Sequence, residues 1–536
     1  MEKAKRIKLR FEQLKSERRN FENLWQDVSE FVLPRKADFT VKQPAGRVRV
    51  EKIFDSTATN SAELLAGAVH GMLTNAAVPW FYLRFWDRKA NGKDFEDFLS
   101  ETSEVILQEI NRPQCAFATN IQEVYLDLAV LGTAALYVGW NEKEQCLDFR
   151  SIFLNEIYID EDDRGEVDTV FRRYSANVKR LVDQFGLDAL PEEMKDEYNA
   201  ERWDKKYSVI HAIYPNNEFV PSKPVVGGNQ PFHSVYILEE KELVLLDGMF
   251  EEMPVMVVRW TKSSSETYGR SPAISVLPDI KMLQTMMKDT LESAAKANNP
   301  PYFSTDENSI LPRSVLPGQF VYVEEIPQPM AIAHALPIND KMMEDTRARI
   351  REAFYNDALQ LTGGARMTAT EVMQRTEEKR RLMAPVLGRL EQELLGPMIM
   401  RVFSLLVEHG VIRIPEGQVL PMLKIEYVSP MAIAQKQEKA NSILMAVQSA
   451  GAVSQTVKGV GSIVIKGDDA ERQVMEAYGL EKLTRSKEEV EAIIQNQAQA
   501  VAEQNQIQQA AQGLELGRMA NEVEHGAKEN RGMTNA

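Results

Sequence analysis

Between Pro272 and Ala297 the apolar residues Val276, Ile280, Leu283, Met287, Leu291 and Ala294 recur at spacings of three and four. That period predicts a single amphipathic helix. Pro272 suits its opening turn, and Asn298-Asn299-Pro300-Pro301 stops it, because neither proline has an N–H to donate. A polar stripe of Lys281, Thr285, Lys288, Glu292 and Lys296 runs beside the apolar one. At a rise of roughly 1.5 Å per residue the helix would be a strut about 35–40 Å long. The pattern returns from Asn339, with Met343, Ile350, Phe354 and Leu361 on one side and Glu344, Arg347 and Arg351 on another. Thr362-Gly363-Gly364-Ala365-Arg366 breaks this second helix, since paired glycines have the most backbone freedom to lose. Thr368-Ala369-Thr370-Glu371 fits a capping box. It opens a third helix through Met383, Val386, Leu390, Leu394, Met398, Val402 and Leu405 to Gly410, kinked at Pro385 and Pro397. Between the first two helices lies an insert, residues 302–337, rich in proline and β-formers, with the strand-like Phe320-Val321-Tyr322-Val323.

The remainder alternates between the two periods. Residues 3–33 predict an amphipathic helix or helix pair, its apolar positions interleaved with Lys5, Arg6, Lys8, Arg10, Lys15, Arg18 and Arg19. Such a face could meet DNA or an acidic neighbour; a solvated face is the plainer expectation. Residues 56–74 predict a helix capped by Ser56, residues 79–85 a buried strand, and residues 94–111 and 120–131 two more helices. From Gly132 the period drops to two, giving strands at 135–140, 147–150 and 157–160. Asp160, Asp162, Gly165 and Asp168 imitate a calcium loop, but Phe171 stands at the closing position where a glutamate is needed, so a solvated hairpin is expected. A helix at 178–185 and strands between 207 and 260 follow. Past Gly410, residues 412–415 and 423–428 predict short strands, and 431–450 and 469–478 helices. Ile493, Ala500, Ile507 and Leu514 recur every seven residues, the period of a coiled-coil seam. Its alanines and glutamines suit packing against copies of itself, with a disordered helical tail as the alternative. Residues 521–536 have little to bury.

Charge and composition narrow the possibilities. The chain has 536 residues, a formal charge of −16 and 26% charged residues. A surface built to hold DNA would be basic, because phosphate contacts supply most of the affinity. An acidic balance therefore argues against a free-standing DNA-affinity protein and is what an ordinary acidic soluble protein would also show. Cys115 and Cys146 are the only cysteines, which points to a reducing compartment and leaves a single bridge between them open. The first residues run into charge without the apolar core of a signal peptide. No run approaches the roughly 20 apolar residues of a spanning helix; residues 66–83 are interrupted by His70, Asn75 and Pro79. Neither G-x-x-x-x-G-K-[ST], H-E-x-x-H nor C-x-x-C occurs, and the six histidines are scattered. No catalytic residue, metal site or cofactor is expected.

Tyr268-Gly269-Arg270-Ser271-Pro272, followed by Leu277-Pro278-Asp279-Ile280-Lys281, resembles the signature of the portal, or head-to-tail connector, proteins of short-tailed double-stranded DNA phages. Asn299-Pro300-Pro301, Leu316-Pro317-Gly318, Met367-Thr368-Ala369-Thr370-Glu371-Val372 and Tyr427-Val428-Ser429-Pro430 are similar to further blocks of that family, in the same order. The resemblance implies an α+β, predominantly helical portal fold that assembles into a dodecameric ring with a central channel. In its terms residues 1–270 are the wing, 271–298 and 338–361 the stem, 299–337 the clip, and 362–367 the tunnel loop. Residues 368–430 would be the kinked long helix and wing strands, 431–485 the crown, 486–520 a C-terminal helical barrel and 521–536 a flexible tail. Thr362, Gly363, Gly364, Ala365, Arg366 and Met367 would project into the channel, and Lys281, Lys288, Glu292, Arg347 and Arg351 are candidates for its lining. The implied partners are further copies of the chain, the DNA, the terminase large subunit, capsid and scaffolding proteins, tail adaptor or nozzle proteins and internal ejection proteins. The implied setting is the virion's portal vertex, assembled in host cytoplasm, with no membrane. A cytoplasmic coiled-coil adaptor or a terminase-like nuclease are the rival classes. The first would form small elongated oligomers, and the second would need a metal-dependent hydrolytic site.

Overall fold

The structure is a computed structural model that describes residues 2–428, except 43, 45, 87–92, 221–227, 299–301, 305–319, 323–334, 357–382 and 415–422, together with 443 and 445. Helix α1 (Glu2–Val32) runs unbroken, which settles the choice between one helix and two. Ile7, Phe11, Leu14, Trp25 and Val28 form its buried side. Its cations divide: Lys5, Arg6, Lys15 and Arg19 are exposed, as expected of a solvated face, whereas the others are engaged. Lys3 reaches Asp247 at 2.6 Å, Lys8 reaches Glu242 at 2.9 Å, and Arg10 pairs with Asp160. Arg18 is buried, pairs with Glu22 at 2.6 Å and donates to the carbonyls of Leu154 and Asn155 at 3.1 Å. The helix thus lies across the face of a sheet, with ion pairs to both of its edge strands.

Helix α2 (Thr57–Leu73) begins where expected, but the Ser56 hydroxyl makes no capping bond. The Asp55 carboxylate takes the Thr57 N–H instead, at 2.9 Å, because an aspartate side chain can bond the backbone two residues on. Strand β1 (Phe81–Phe85) alternates buried and half-buried residues. Helices α3 (Lys93–Ile110) and α4 (Phe117–Leu131) follow. Strands β2 (Thr133–Asn141) and β3 (Cys146–Ile152) pair antiparallel, with Ala135 opposite Ile152. The next strands form one antiparallel five-stranded sheet in sequential order: β4 (Ile157–Glu161), β5 (Val167–Asn177), β6 (Lys206–Pro215), β7 (Phe232–Leu238) and β8 (Leu243–Phe250). Helices α5 (Val178–Phe185) and α6 (Glu192–Asn199) share a small core with it around Leu181, Met194 and Tyr207. Strand β9 (Val255–Arg259), buried at all five positions, returns to pair with β2.

The expected first strut is two helices. α7 (Pro272–Ser275) ends at Val276, and α8 (Leu277–Asn298) starts afresh. Pro278 is the cause: it cannot donate to the Ile274 carbonyl, and it disfavours helical geometry at Leu277. Strands β10 (Tyr302–Ser304) and β11 (Phe320–Tyr322) pair in parallel. With the first residues of α9 (Ala335–Ala353) they are what the structure describes of 299–337. α9 begins earlier than expected and ends at Ala353, just before Tyr355 takes a left-handed φ of 60°. Residues 357–382, with the capping box and the expected tunnel loop, lie outside the described residues. The third helix is described from 383 and widens into a π-turn at Glu391–Leu395 before α10 (Gly396–Glu408). Pro397 cannot donate to Glu393, and the ladder takes in an extra residue there, the Gly396 N–H bonding Glu391.

The strand expected at 412–415 is absent from its described residues. After Gly410, at a φ of 71°, the N–H groups of Val411 and Ile412 both bond the Leu406 carbonyl, at 2.9 and 3.1 Å. The chain therefore folds back on the helix end and buries Ile412. Strand β12 (Leu423–Tyr427) pairs antiparallel with β1. One core runs through Trp25, Leu65, Phe81, Tyr125, Leu136, Ile280, Ile350 and Leu394. Contacts divide the chain into Met1–Ser429 and Pro430–Ala536. The second unit holds the expected crown, barrel and tail and, but for 443 and 445, lies outside the described residues.

Candidate functional site

The segment Tyr268–Pro272 joins the strands to the struts, and each residue type has a separate reason to be there. Tyr268 is buried, edge-on to Trp25 with ring centres 5.1 Å apart, and its hydroxyl accepts the Ile159 N–H at 3.2 Å. Burial pushes its phenol up, so it stays un-ionised. Gly269 passes directly over Gly132, the left-handed residue that ends α4. A Cβ at Gly269 would stand 2.3 Å from the Gly132 oxygen, and one at Gly132 would stand 2.6 Å from the Arg270 backbone. Only glycine lets the two chains cross this closely. Arg270 turns outward to Glu266 at 2.5 Å. The Ser271 hydroxyl accepts the Ile274 N–H at 3.0 Å, capping α7, and donates to the Val130 carbonyl at 2.6 Å. Pro272 then occupies the first helical position. The motif thus fixes the start of the struts to α1, α4 and β4 at once.

A buried ion cluster reinforces this joint. Arg259, its side chain 1% exposed, lies between Glu393 at 2.8 Å and Glu161, and donates to the Gly165 carbonyl at 3.0 Å. Lys262 pairs with the same Glu161 at 2.7 Å. The cluster ties the end of β4 to the end of β9 and to the π-turn. Lower on the struts, the Gln284 side chain accepts the N–H groups of Phe54 and Asp55, at 2.6 and 2.9 Å, and donates to the Asp55 carbonyl at 2.7 Å. Burial alone would push the Asp55 carboxyl up, but hydrogen bonds from Thr57 and Arg347 outweigh it and hold it below the usual range. Arg347 on α9 reaches Asp55 at 2.9 Å. One loop aspartate therefore caps α2 and holds α9, while its own backbone is gripped by α8.

The five candidate lining residues divide by this geometry. Lys281 pairs with Asp27 of α1 and stands over the Phe31 ring. Arg347 is spent on Asp55 and on Glu344 at 3.4 Å. Arg351 reaches Glu344 at 2.7 Å. Lys288 and Glu292 face each other at 3.9 Å, and both side chains are more than half exposed. Thr362, Gly363, Gly364, Ala365, Arg366 and Met367 lie outside the described residues. Asp55, Gln284, Arg259 and Glu393 were not singled out from sequence. Gln284 carried a signal, since it falls on the apolar stripe of α8 between Ile280 and Met287. The other three carry charges of the kind found throughout the chain. Among the described residues, no group of His, Cys, Asp and Glu side chains is placed to hold a metal ion, and no helix is long and apolar enough to cross a membrane.

Residues 4–483 match the family described as bacteriophage head to tail connecting protein. Over 529 residues the chain is 28% identical to the portal protein of Salmonella phage epsilon15, covering 95% of this chain and 92% of that protein. Over 480 residues it is 28% identical to a probable portal protein of Bordetella phage BPP-1, covering 86% and 84%. Among solved structures, a chain from the neck of an empty gene transfer agent particle matches 73% of this chain and 86% of its own, with 10% identity and a TM-score of 0.32. A chain from the virion of a native gene transfer agent matches 73% and 85%, with 11% identity and a TM-score of 0.33.

Proposed function

The chain belongs to the bacteriophage head to tail connecting proteins and has a phage portal role, and we propose that it fills this role as one subunit of a closed ring of twelve at a capsid vertex. DNA enters through the ring during packaging, is retained, and leaves through it into the host. In this reading residues 1–270 form the wing, 271–298 and 338–361 the stem, 299–337 the clip, 362–367 the tunnel loop, and 431–485 and 486–520 the crown and barrel. The observation that best supports it is the anchoring of the struts. Tyr268–Pro272, Gln284 and Arg347 fix α8 and α9 to the body by buried contacts, as a tube wall under load requires.

The ring repeats every stem residue by symmetry, so single exposed charges add into a sizeable field. Lys288 and Glu292 are the best placed of the five for the lumen, since Lys281 and Arg347 already hold other elements. Nothing in the chain matches an ATP-binding pattern, so the packaging motor is a separate terminase docked at the clip, which tail proteins occupy afterwards. The role is structural rather than enzymatic.

Electron microscopy of the purified protein tests the reading: closed rings with an axial hole are expected, and small elongated oligomers would overturn it. The assembled rings should bind duplex DNA weakly and without sequence preference at physiological salt. Nanomolar, sequence-selective binding would contradict a sliding conduit.

A further inference from the structure

Between Phe39 and Asp55 the described residues cross the surface without regular structure. It carries Lys42, Arg47, Arg49 and Lys52 against a single acid, Glu51, in a protein of formal charge −16. The segment is well tethered. Arg49 donates to Asp38 at 2.8 Å and to the Arg35 carbonyl at 2.9 Å, Lys52 reaches Glu30 at 2.5 Å, and Gln284 holds its end. Yet Val41, Val48 and Val50 face solvent, at 53%, 64% and 56% exposure. The Lys42 and Arg47 side chains make no ion pair among the described residues. A held backbone that presents valines flanked by unpaired cations is organised for something outside the chain.

Helix α3 carries the opposite charge. Its residues include Asp94, Glu96, Asp97, Glu101, Glu104 and Glu109 against Lys93 alone. Asp97, Glu101 and Glu104 recur on one exposed face, and Asp97 and Glu101 make no ion pair among the described residues. The helix packs on β1, β3 and α10, whereas the basic segment is held by α1 and α8. The two faces therefore do not neutralise each other within one chain.

We propose that the basic, valine-bearing surface formed by Val41, Lys42 and residues 46–52 of one copy docks on the acidic outer face of α3 of the next copy. A closed ring needs two unlike, complementary surfaces on every subunit, because its contacts run head to tail. A chain with a large net negative charge repels its copies except where a local cationic patch meets a local anionic one. The proposal rests on the ring reading, but its central test does not require a ring.

Full-length chains carrying Arg47→Cys and Glu101→Cys are mixed and mildly oxidised, the native Cys115 and Cys146 being buried. An Arg47–Glu101 cross-link between copies is expected. Its absence, with cross-linking no stronger than for an Arg180→Cys control, overturns the proposal. If the link forms while the wild-type chain makes no closed rings, the docking stands and the ring reading falls. Charge reversal gives the second test. Lys42→Glu with Arg47→Glu, or Asp97→Lys with Glu101→Lys, should each lower the ring fraction at least tenfold in folded protein, and all four together should restore it. Rings at wild-type yield from either reversed pair, or no recovery in the fourfold variant, would overturn it. So would reversal of the segment that spares assembly and weakens DNA binding, which would make the segment a DNA surface.

Discussion

Asp127 is fully buried on α4 and meets Lys36 at 2.7 Å, and Lys36 also reaches Glu123 at 2.7 Å. Burial raises the Asp127 carboxyl to about 6 despite the pull of Lys36. A raised carboxyl favours the folded state below its unfolded value, and that advantage is lost as pH climbs through the folded value. Between pH 4 and pH 7 the wild type should therefore lose about 2 kcal/mol relative to Asp127→Asn. Denaturant unfolding of both chains at the two pH values checks this, and an unchanged difference would show that Asp127 ionises freely. The paired comparison is needed because Asp55 acts oppositely: its lowered carboxyl stabilises the fold above the ordinary aspartate range and loses that effect on acidification. Neither role was legible in the sequence, where Asp127 and Asp55 are two acids among many. Gly269 was legible as part of a family signature, but its physical reason needs Gly132, which lies far from it in sequence.

Elements were legible where periodicity was long and failed where local chemistry overrode it. Strand β4 and helices α1, α3 and α5 fall close to their expected spans, and β6 to β8 fall in the stretch near 207–260 expected to hold strands, whereas β5 had no expected span of its own. The strut broke at Pro278, Ser56 yielded its capping role to Asp55, and Ile412 was buried by a helix end folding back rather than by a strand. In each case a hydrogen-bond detail decided an outcome that hydrophobic spacing does not encode. The π-turn before Pro397 is another such detail, and it places Glu393 against Arg259. Glu393→Gln would set an amide N–H₂ against a buried guanidinium and leave Glu161 to serve both Arg259 and Lys262. Removing one partner of a buried pair is costly, and here a loss of about 3 kcal/mol is expected. Arg389 stands 3.9 Å from Glu393 with a third of its side chain exposed, so Arg389→Gln should change stability by less than about 1 kcal/mol. Equal losses in denaturant unfolding of the two variants would mean that the cluster's charge is not what holds the π-turn.

At the scale of the whole molecule, order along the chain was the most legible property, and which polar side chains of α8 and α9 stay free of the body the least. Periodicity shows that α8 has a polar side, but not that Lys281 is turned to Asp27 and Arg347 to Asp55. The same distinction bears on the C-terminal seam. Its heptads are built on Ile493, Ala500, Ile507 and Leu514, a seam whose alanine contributes little apolar area. The family match ends at residue 483, and the core clusters among the described residues are built from residues up to Tyr427. Strut anchoring by Tyr268–Pro272, Gln284 and Arg347 also lies wholly within the first unit. Among the described residues, the contacts that hold the fold together lie within the first unit. A chain truncated after Lys487 should unfold at the same denaturant midpoint as the full chain for its main transition. It should also form particles of the same subunit number, measured by sedimentation velocity and counted in electron micrographs. If only monomers appear while the fold is intact, the heptad seam rather than the wing and stem drives assembly.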